Sequence, residues 1–380
     1  MSKFYELMPG ARRQQLGDME LLERLAGPIT SETSCLDRMS ENVIGAWRLP
    51  LGVVPSLVVD GRSHRIAMAT EEPSVVAAAC RVSRLANACG GITSHADRPV
   101  TAAQIMGCAS PECARDAVRW IGQNVQMLLE TANRCDPALC ASGGGAFALE
   151  AQILEPAPDW PETFVVAKLF VHTSDAMGAN AVNTMAEALQ GELSRSLSGY
   201  VPGMAILTND GAGRMVHAHL SIPYAQFGAF AHCEGRDIAV RIARACAFAQ
   251  RSPERAVTHN KGILNGIIAA ALPLGQDTRA LSASILHEAH RTGAHKPLTC
   301  AELREDSLEF AIHLPLPAGF VGGFKKNPSV AAAFAFDGIT SYDELCALLS
   351  AIGLIQNLGA LWALVTEGIQ AGHMRLHVRK

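Results

Sequence analysis

Apolar and polar positions along the chain group into segments with distinct periods. Around Asp60-Gly61, a turn pair, extended apolar runs stand on both sides, Leu57-Val58-Val59 and Ile66-Ala67-Met68, which predicts a hairpin over 49–70. Glu71-Glu72-Pro73-Ser74 then opens the run Val75-Val76-Ala77-Ala78-Ala79. Proline suits a first helical position, and acids complement the positive end of the helix dipole. A helix is therefore predicted from Pro73, closed by Gly90-Gly91. Upstream, 1–40 predict one or two short helices punctuated by Pro9-Gly10 and Gly27-Pro28.

Between 102 and 213 the texture changes. Strand-like segments at 146–154, 164–172 and 204–207 bracket helical ones at 113–133 and 180–197. The order strand-helix-strand-strand-helix-strand fits a split βαβ, ferredoxin-like module. It reads as an insertion into a larger body made of 1–101 and 214–371, with 372–380 as a short terminal segment. In the second part of that body, 234–250 predict a helix. The polar cluster His259-Asn260-Lys261 precedes an apolar helix over 262–271. Residues 308–324 predict a strand ending in Gly322-Gly323, and 341–371 two more helices. The fold class is α+β: a large mixed α/β domain with an inserted smaller one.

Composition narrows the function classes. The 380 residues are 49% apolar and 18% charged, a globular balance. At about 150 residues per domain the length suits two or three domains. A net charge of −4 offers no footprint for nucleic acid or an anionic membrane. An anionic small molecule needs only a local cluster of cations. The apolar stretches 49–59 and 263–274 fall short of the roughly 18 residues of a membrane span. The first residues lack the apolar core of a secretory signal. Eleven cysteines without a C-x-x-C, with Cys108/Cys113 and Cys135/Cys140 five apart, match no common zinc pattern and suit free thiols in a reducing cytosol. His287-Glu288-Ala289-His290 departs from H-E-x-x-H, so no metal is expected.

No G-x-G-x-x-G follows a strand, and no phosphate-binding G-x-x-x-x-G-K-[ST] occurs. Gly143-Gly144-Gly145 and Gly211-Ala212-Gly213 suit turns. The segment Asp175-Ala176-Met177-Gly178-Ala179-Asn180 is richer than a helix cap requires: small residues let backbone approach a ligand, and the helix start behind them attracts phosphate. Lys261 and Asn265 fall at i and i+4 on one helix face. A lysine there reaches solvent, pairs or serves chemistry; with Asp277 downstream it would set a cation beside a developing oxyanion. Glu72 is either a dipole-complementing first-turn acid or, if buried, a general acid. Gly372-His373 adds a terminal imidazole, ordinarily solvated.

Together these segments resemble class II, the soluble bacterial form, of 3-hydroxy-3-methylglutaryl-CoA (HMG-CoA) reductase. The matching stretches are Glu41–Gly45, Glu71–Ala79, Asp175–Thr184, Arg255 with Thr258–Gly266, Gly319–Gly323, Gln356–Gly359 and Thr366–His377, in family order over nearly the whole chain. The resemblance implies a cytoplasmic homodimer with active sites at the subunit interface. It also implies interconversion of HMG-CoA and mevalonate plus CoA by two hydride transfers. Lys261 is similar to the lysine that polarises the carbonyl, Glu72 to the acid that exchanges protons with that oxygen, Asp277 to the aspartate that tunes the pair, and His373 to the proton donor for departing CoA thiolate. Arg255 resembles the clamp on the substrate carboxylate, while Asn209 and Asn265 resemble polar contacts to substrate and nicotinamide. Asp175, Met177, Gly178 and Asn180 resemble the cofactor turn. Asp136 aligns with the aspartate facing the adenosine ribose in NAD-dependent members, which favours NAD(H) over NADP(H) because a carboxylate repels a 2′-phosphate.

Family members continue well past the catalytic histidine as a flap, whereas this chain ends seven residues after His373. Most of that flap is expected to be missing. A working reductase with a minimal flap, a homologue acting on another acyl-CoA or hydroxyacyl substrate, and a non-catalytic CoA- or dinucleotide-binding paralogue all stay open, as does the direction of flux.

Overall fold

Three short helices, α1 (Pro9–Leu16), α2 (Met19–Ala26) and α3 (Ser31–Asp37), lead into an antiparallel hairpin, β1 (Leu51–Val59) and β2 (Arg62–Ala69), in the computed structural model, which describes residues 3–231, 234–368 and 370. Asp60 and Gly61 turn the hairpin with φ of 48° and 76°, the left-handed pair whose twist matches the strands. α4 (Pro73–Ala88) begins at the expected proline. The chain continues through β3 (Thr93–Ala96), β4 (Val100–Ala109), α5 (Pro111–Gln123), α6 (Val125–Asn133), α7 (Pro137–Ala141), β5 (Gly145–Leu154), β6 (Thr163–His172), α8 (Ala179–Ser196) and β7 (Val201–Leu207). It then forms β8 (Met215–Pro223), α9 (Tyr224–Ala231), α10 (Gly235–Arg251), α11 (Pro253–Ala271), α12 (Thr278–His290), β9 (Thr299–Leu303), β10 (Ser307–Pro315), α13 (Pro328–Asp337) and α14 (Tyr342–Val365).

This is a mixed α/β fold with two cores. β5-β6-β4-β7 form one sheet, antiparallel at every pairing, and bury Ile105, Leu169 and Val171 against Leu128, Met185 and Leu189 from α6 and α8. The second sheet, β3-β8-β10-β9, shares a larger core with α4, α10, α11 and α14. Elements between 100 and 207 thus contribute to one cluster, while elements before and after them build the other.

Several expectations change: 1–40 holds three short helices where one or two were expected, and the helical stretch 113–133 is two helices, α5 and α6. α11 begins at Pro253, with Ser252 accepting from the Arg255 amide at 3.3 Å, so His259-Asn260-Lys261 lies within the helix rather than ahead of it. β10 stops at Pro315, because Pro315 and Pro317 lack the N–H that a ladder needs; 316–322 is a strap rather than strand. Over 341–371, where two helices were expected, α14 runs unbroken from Tyr342 to Val365, residue 370 is again helical, and 369 and 371 lie outside the described residues. The glycines of α14 allow close helix crossings: a Cβ on Gly353 would fall 2.9 Å from Ile267 Cδ1 of α11. α14 is also long and apolar enough to cross a membrane, with a mean hydropathy of 1.8, which the sequence reading did not register. Because 78% of that window is buried inside the protein, it is a central core helix.

One side chain joins the two cores. Arg214, just before β8, is 2% exposed. Its Nε donates to Thr101 Oγ1 of β4 at 3.0 Å and its Nη1 to Ala318 O of the strap at 3.0 Å. Its Nη2 donates to Ala176 O at 3.0 Å, to Met177 O at 2.7 Å and to Thr173 Oγ1. Among the described residues no carboxylate pairs with it. Burial of a cation is tolerated here because oxygens take its hydrogens. Arg214→Met strands those oxygens, with an expected loss of roughly 3 kcal/mol of stability. Urea unfolding checks this; an unchanged midpoint would show that Arg214 does not hold the two parts together.

Candidate active site

α4 and α11 start the same way, a polar cap followed by proline, and both pack on α14. Small residues at the junction, Ala77 and Ala78 on α4, Gly262 on α11 and Ala360 on α14, leave a cleft of about 910 Å³. Its walls carry four cations, Arg81, Arg84, Arg255 and Lys261, against two acids, Glu72 and Glu367. Such a surface attracts anions. Glu72, Lys261 and Asn265 also line an adjoining hollow of about 150 Å³ beside Thr70 and Leu272.

Each position has a local cause. Glu72 is the N-cap of α4: its Oε1 accepts from the Ser74 amide at 3.0 Å, and its own amide donates to Thr70 Oγ1 at 3.2 Å. The cap fixes the carboxyl at the cleft. Lys261 is exposed and Asn265 half-buried, one turn apart on α11, as the i, i+4 spacing predicts. Arg81 lies over the Trp362 ring at 4.2 Å and pairs with Glu367 at 3.1 Å. Arg81 and Arg84 were missed in the sequence; their signal was two arginines one turn apart on an otherwise alanine-rich helix.

Behind Lys261 lies a buried polar chain that the sequence reading also missed. His259 Nε2 is 2.5 Å from Thr299 Oγ1, whose hydroxyl donates to Asn357 Oδ1 at 2.8 Å; Asn357 Nδ2 donates to His259 O at 2.9 Å. The hydroxyl spends its proton on Asn357, so the imidazole carries its hydrogen on Nε2. Burial, with Arg255 next, lowers His259 to a pKa of about 4. Below the unfolded value near 6.5 the unfolded chain binds the proton first, so this term of stability is complete above that pH and fades as pH falls toward 4. It amounts to about 3 kcal/mol. Burial of Asp337 raises its pKa to about 7, which works in the opposite direction. The expected result is that acidification from pH 6.5 to 4 costs wild type more than His259→Gln in urea midpoint; equal losses would remove the assignment.

The remaining expected residues fall elsewhere. Asp277 is the N-cap of α12, its Oδ1 accepting from the amides of Arg279 and Ala280 at 3.0 and 3.1 Å, and it does not line the cleft among the described residues. The expected nearness to Lys261 assumed a short loop; in fact about 15 Å of helix separates Lys261 from the end of α11. Met177 and Asn209 line a separate hollow of about 70 Å³ between the two cores, with Arg214 on its wall. Asp175, Met177 and Gly178 form a half-buried turn leading into α8, with Asn180 exposed in its first turn. Gly178 has φ of 84°, and a Cβ there would fall 2.3 Å from Thr173 Cγ2, so the backbone lies as near its surroundings as glycine allows. Asp136 caps α7, accepting from the Leu139 amide at 2.9 Å. His373 lies outside the described residues. Among those residues no group of three His, Cys, Asp or Glu side chains is placed to hold a metal ion.

Comparison with known proteins converges on one family. The family described as hydroxymethylglutaryl-coenzyme A reductase matches residues 10–378. The chain is 39% identical over 347 residues to 3-hydroxy-3-methylglutaryl-coenzyme A reductase of Archaeoglobus fulgidus, covering 90% of this chain and 76% of that one. It is 31% identical over 360 residues to a probable 3-hydroxy-3-methylglutaryl-coenzyme A reductase of Borreliella burgdorferi, covering 91% and 78%. Its fold is similar to that of the class II 3-hydroxy-3-methylglutaryl-CoA reductase from Streptococcus pneumoniae bound to NADPH in open conformations, with a TM-score of 0.82, 34% identity, and 96% and 99% of the two chains covered. Agreement in sequence and fold over almost the full length leaves one conclusion: the chain belongs to the hydroxymethylglutaryl-coenzyme A reductase family.

Proposed function

We propose that the protein is an HMG-CoA reductase that interconverts HMG-CoA and mevalonate plus CoA through two successive reductions. The observation that carries this reading is the shared cleft: Glu72, Lys261, Asn265 and Arg255 stand on its walls in a chain of that family. Two equivalents of a reduced nicotinamide dinucleotide, bound in turn, would supply the two hydrides, one each. Each reduction puts negative charge on the substrate oxygen. Lys261 offers a cation to that oxygen, and Glu72 exchanges a proton with it. Arg255 offers paired donors to the free carboxylate of the substrate, and Arg81 and Arg84 add positive charge for an anionic carrier. The proton for departing CoA thiolate is assigned to His373 on the resemblance. The tuning role of Asp277 rests on the resemblance as well, and a homodimer with its site between subunits is the arrangement that would bring it in.

We read 102–213 as an inserted ferredoxin-like unit that holds the dinucleotide, between large-domain parts 1–101 and 214–371, with 372–380 as a flap segment. The strand order, the separate core and the glycine-capped start of α8, a helix end that favours phosphate, support this. Free thiols among the described residues and a buried α14 support a cytoplasmic enzyme. NAD(H) is the preferred cofactor on the strength of Asp136, half-buried at the α7 cap, although the Streptococcus pneumoniae relative bound to NADPH favours the phosphorylated form as the second reading.

Two experiments test these assignments. Dinucleotide oxidation with HMG-CoA should show turnover that Lys261→Ala reduces by about 100-fold or more. Turnover only on another acyl-CoA would point to a different oxidoreductase of the family, and binding without turnover to a non-catalytic paralogue. Asp136→Asn keeps the cap and removes the charge. It should shrink a preference for NADH over NADPH of about 10-fold, read as the ratio of kcat/KM values. Equal use of both by wild type would sink the role given to Asp136.

A further inference from the structure

Gln276 directly precedes Asp277 and is 9% exposed. Its Nε2 donates to Leu274 O at 2.9 Å and to Gly319 O at 3.1 Å, while its Oε1 accepts from the Gly319 amide at 2.9 Å. One amide therefore holds both backbone groups of Gly319. That glycine lies directly on the turn before α8: a Cβ would fall 2.5 Å from the Met177 amide nitrogen. The next two amides, of Phe320 and Val321, donate to Asp175 O at 2.7 and 3.1 Å, and Ala176 bridges Val321 in parallel register. Gln276 fixes the strap, and the strap fixes the turn.

Glutamine suits this position because it donates and accepts at once. A buried amide is tolerated when its hydrogens and its oxygen are all used, as they are here. A carboxylate in its place would face two carbonyl oxygens without a proton to offer.

We propose that Gln276 is a positioning residue for the nicotinamide cofactor: it registers the Asp175–Gly178 turn against the loop that carries Asp277, so that the hydride-bearing and proton-handling sides of the site stay aligned. Gln276 touches neither substrate nor cofactor and acts through Gly319. The inference rests on reading that turn as the dinucleotide site.

The full chain is titrated with NADH and NADPH by fluorescence, and separately with free CoA. Gln276→Ala should bind dinucleotide about 10-fold more weakly, with a matching rise in its KM and with CoA affinity unchanged. Gln276→Glu separates pairing from packing and carries the test if the alanine variant does not fold. Relative to wild type at each pH, its dinucleotide affinity should be poor near pH 8 and recover near pH 5.5, where a protonated carboxyl donates again. A folded Gln276→Ala with wild-type dinucleotide affinity overturns the proposal, as does a Gln276→Glu deficit equal at both pH values. Wild type that binds neither dinucleotide overturns the cofactor reading and the positioning role with it. Wild-type binding with unaffected variants overturns the positioning role alone.

Discussion

Two separately packed cores can act as one molecule only if the polar backbone trapped between them finds partners. Arg214 meets that constraint by bringing a guanidinium, rather than an acid–base pair, into the junction. Its planar fork distributes hydrogens to β4, to the turn before α8 and to the strap after β10. Carbonyl oxygens that a loop would otherwise turn toward water can therefore be buried, and the turn is free to press against the strap after β10. The Gln276–Gly319 pairing extends the same solution a few residues away. The relative height of the two parts is set by hydrogen bonds of fixed direction, where apolar contact alone would let them slide.

The cleft obeys a different logic. It is an opening left where α4, α11 and α14 meet through alanines and glycines, and its chemistry comes from side chains at fixed helical positions. Glu72 is held by a cap, Lys261 and Asn265 by the helix period, and Arg81 by an indole face. Behind them, His259 Nε2, the Thr299 hydroxyl and the Asn357 amide pair with one another across α11, β9 and α14, while His259 Nδ1 stays buried without a partner among the described residues. An excess of cations faces the open volume, in a chain whose net charge is negative. Charge for an anionic substrate has been gathered locally, which bulk composition does not reveal.

Much of this was legible before any coordinates. The hairpin at Asp60-Gly61, the start of α4 at Pro73 and the strand-helix alternation between 100 and 207 all follow from local rules: turn dihedrals, caps and period. Lys261 and Asn265 share a helix face for the same reason, whereas Glu72 joins them only because α4 and α11 both pack on α14. Prolines and glycines deceived where tertiary contact changed their meaning. Pro253 opened a helix that was expected to start later, and Gly353 sits inside α14 where it crosses α11 closely.

Sequence by itself therefore determined which elements form, the family they compose, and which side chains sit at the starts and faces of helices, because those properties depend on neighbours a few residues away. Tertiary structure alone decided that Arg214 would be buried without a counter-ion, that His259 would be kept neutral, that Gln276 would grip Gly319, and that Asp277 would cap α12 away from the cleft. Each of those depends on groups far along the chain whose approach no local period encodes. The same polar side chain is a solvated one in one packing and a buried hinge of the fold in another.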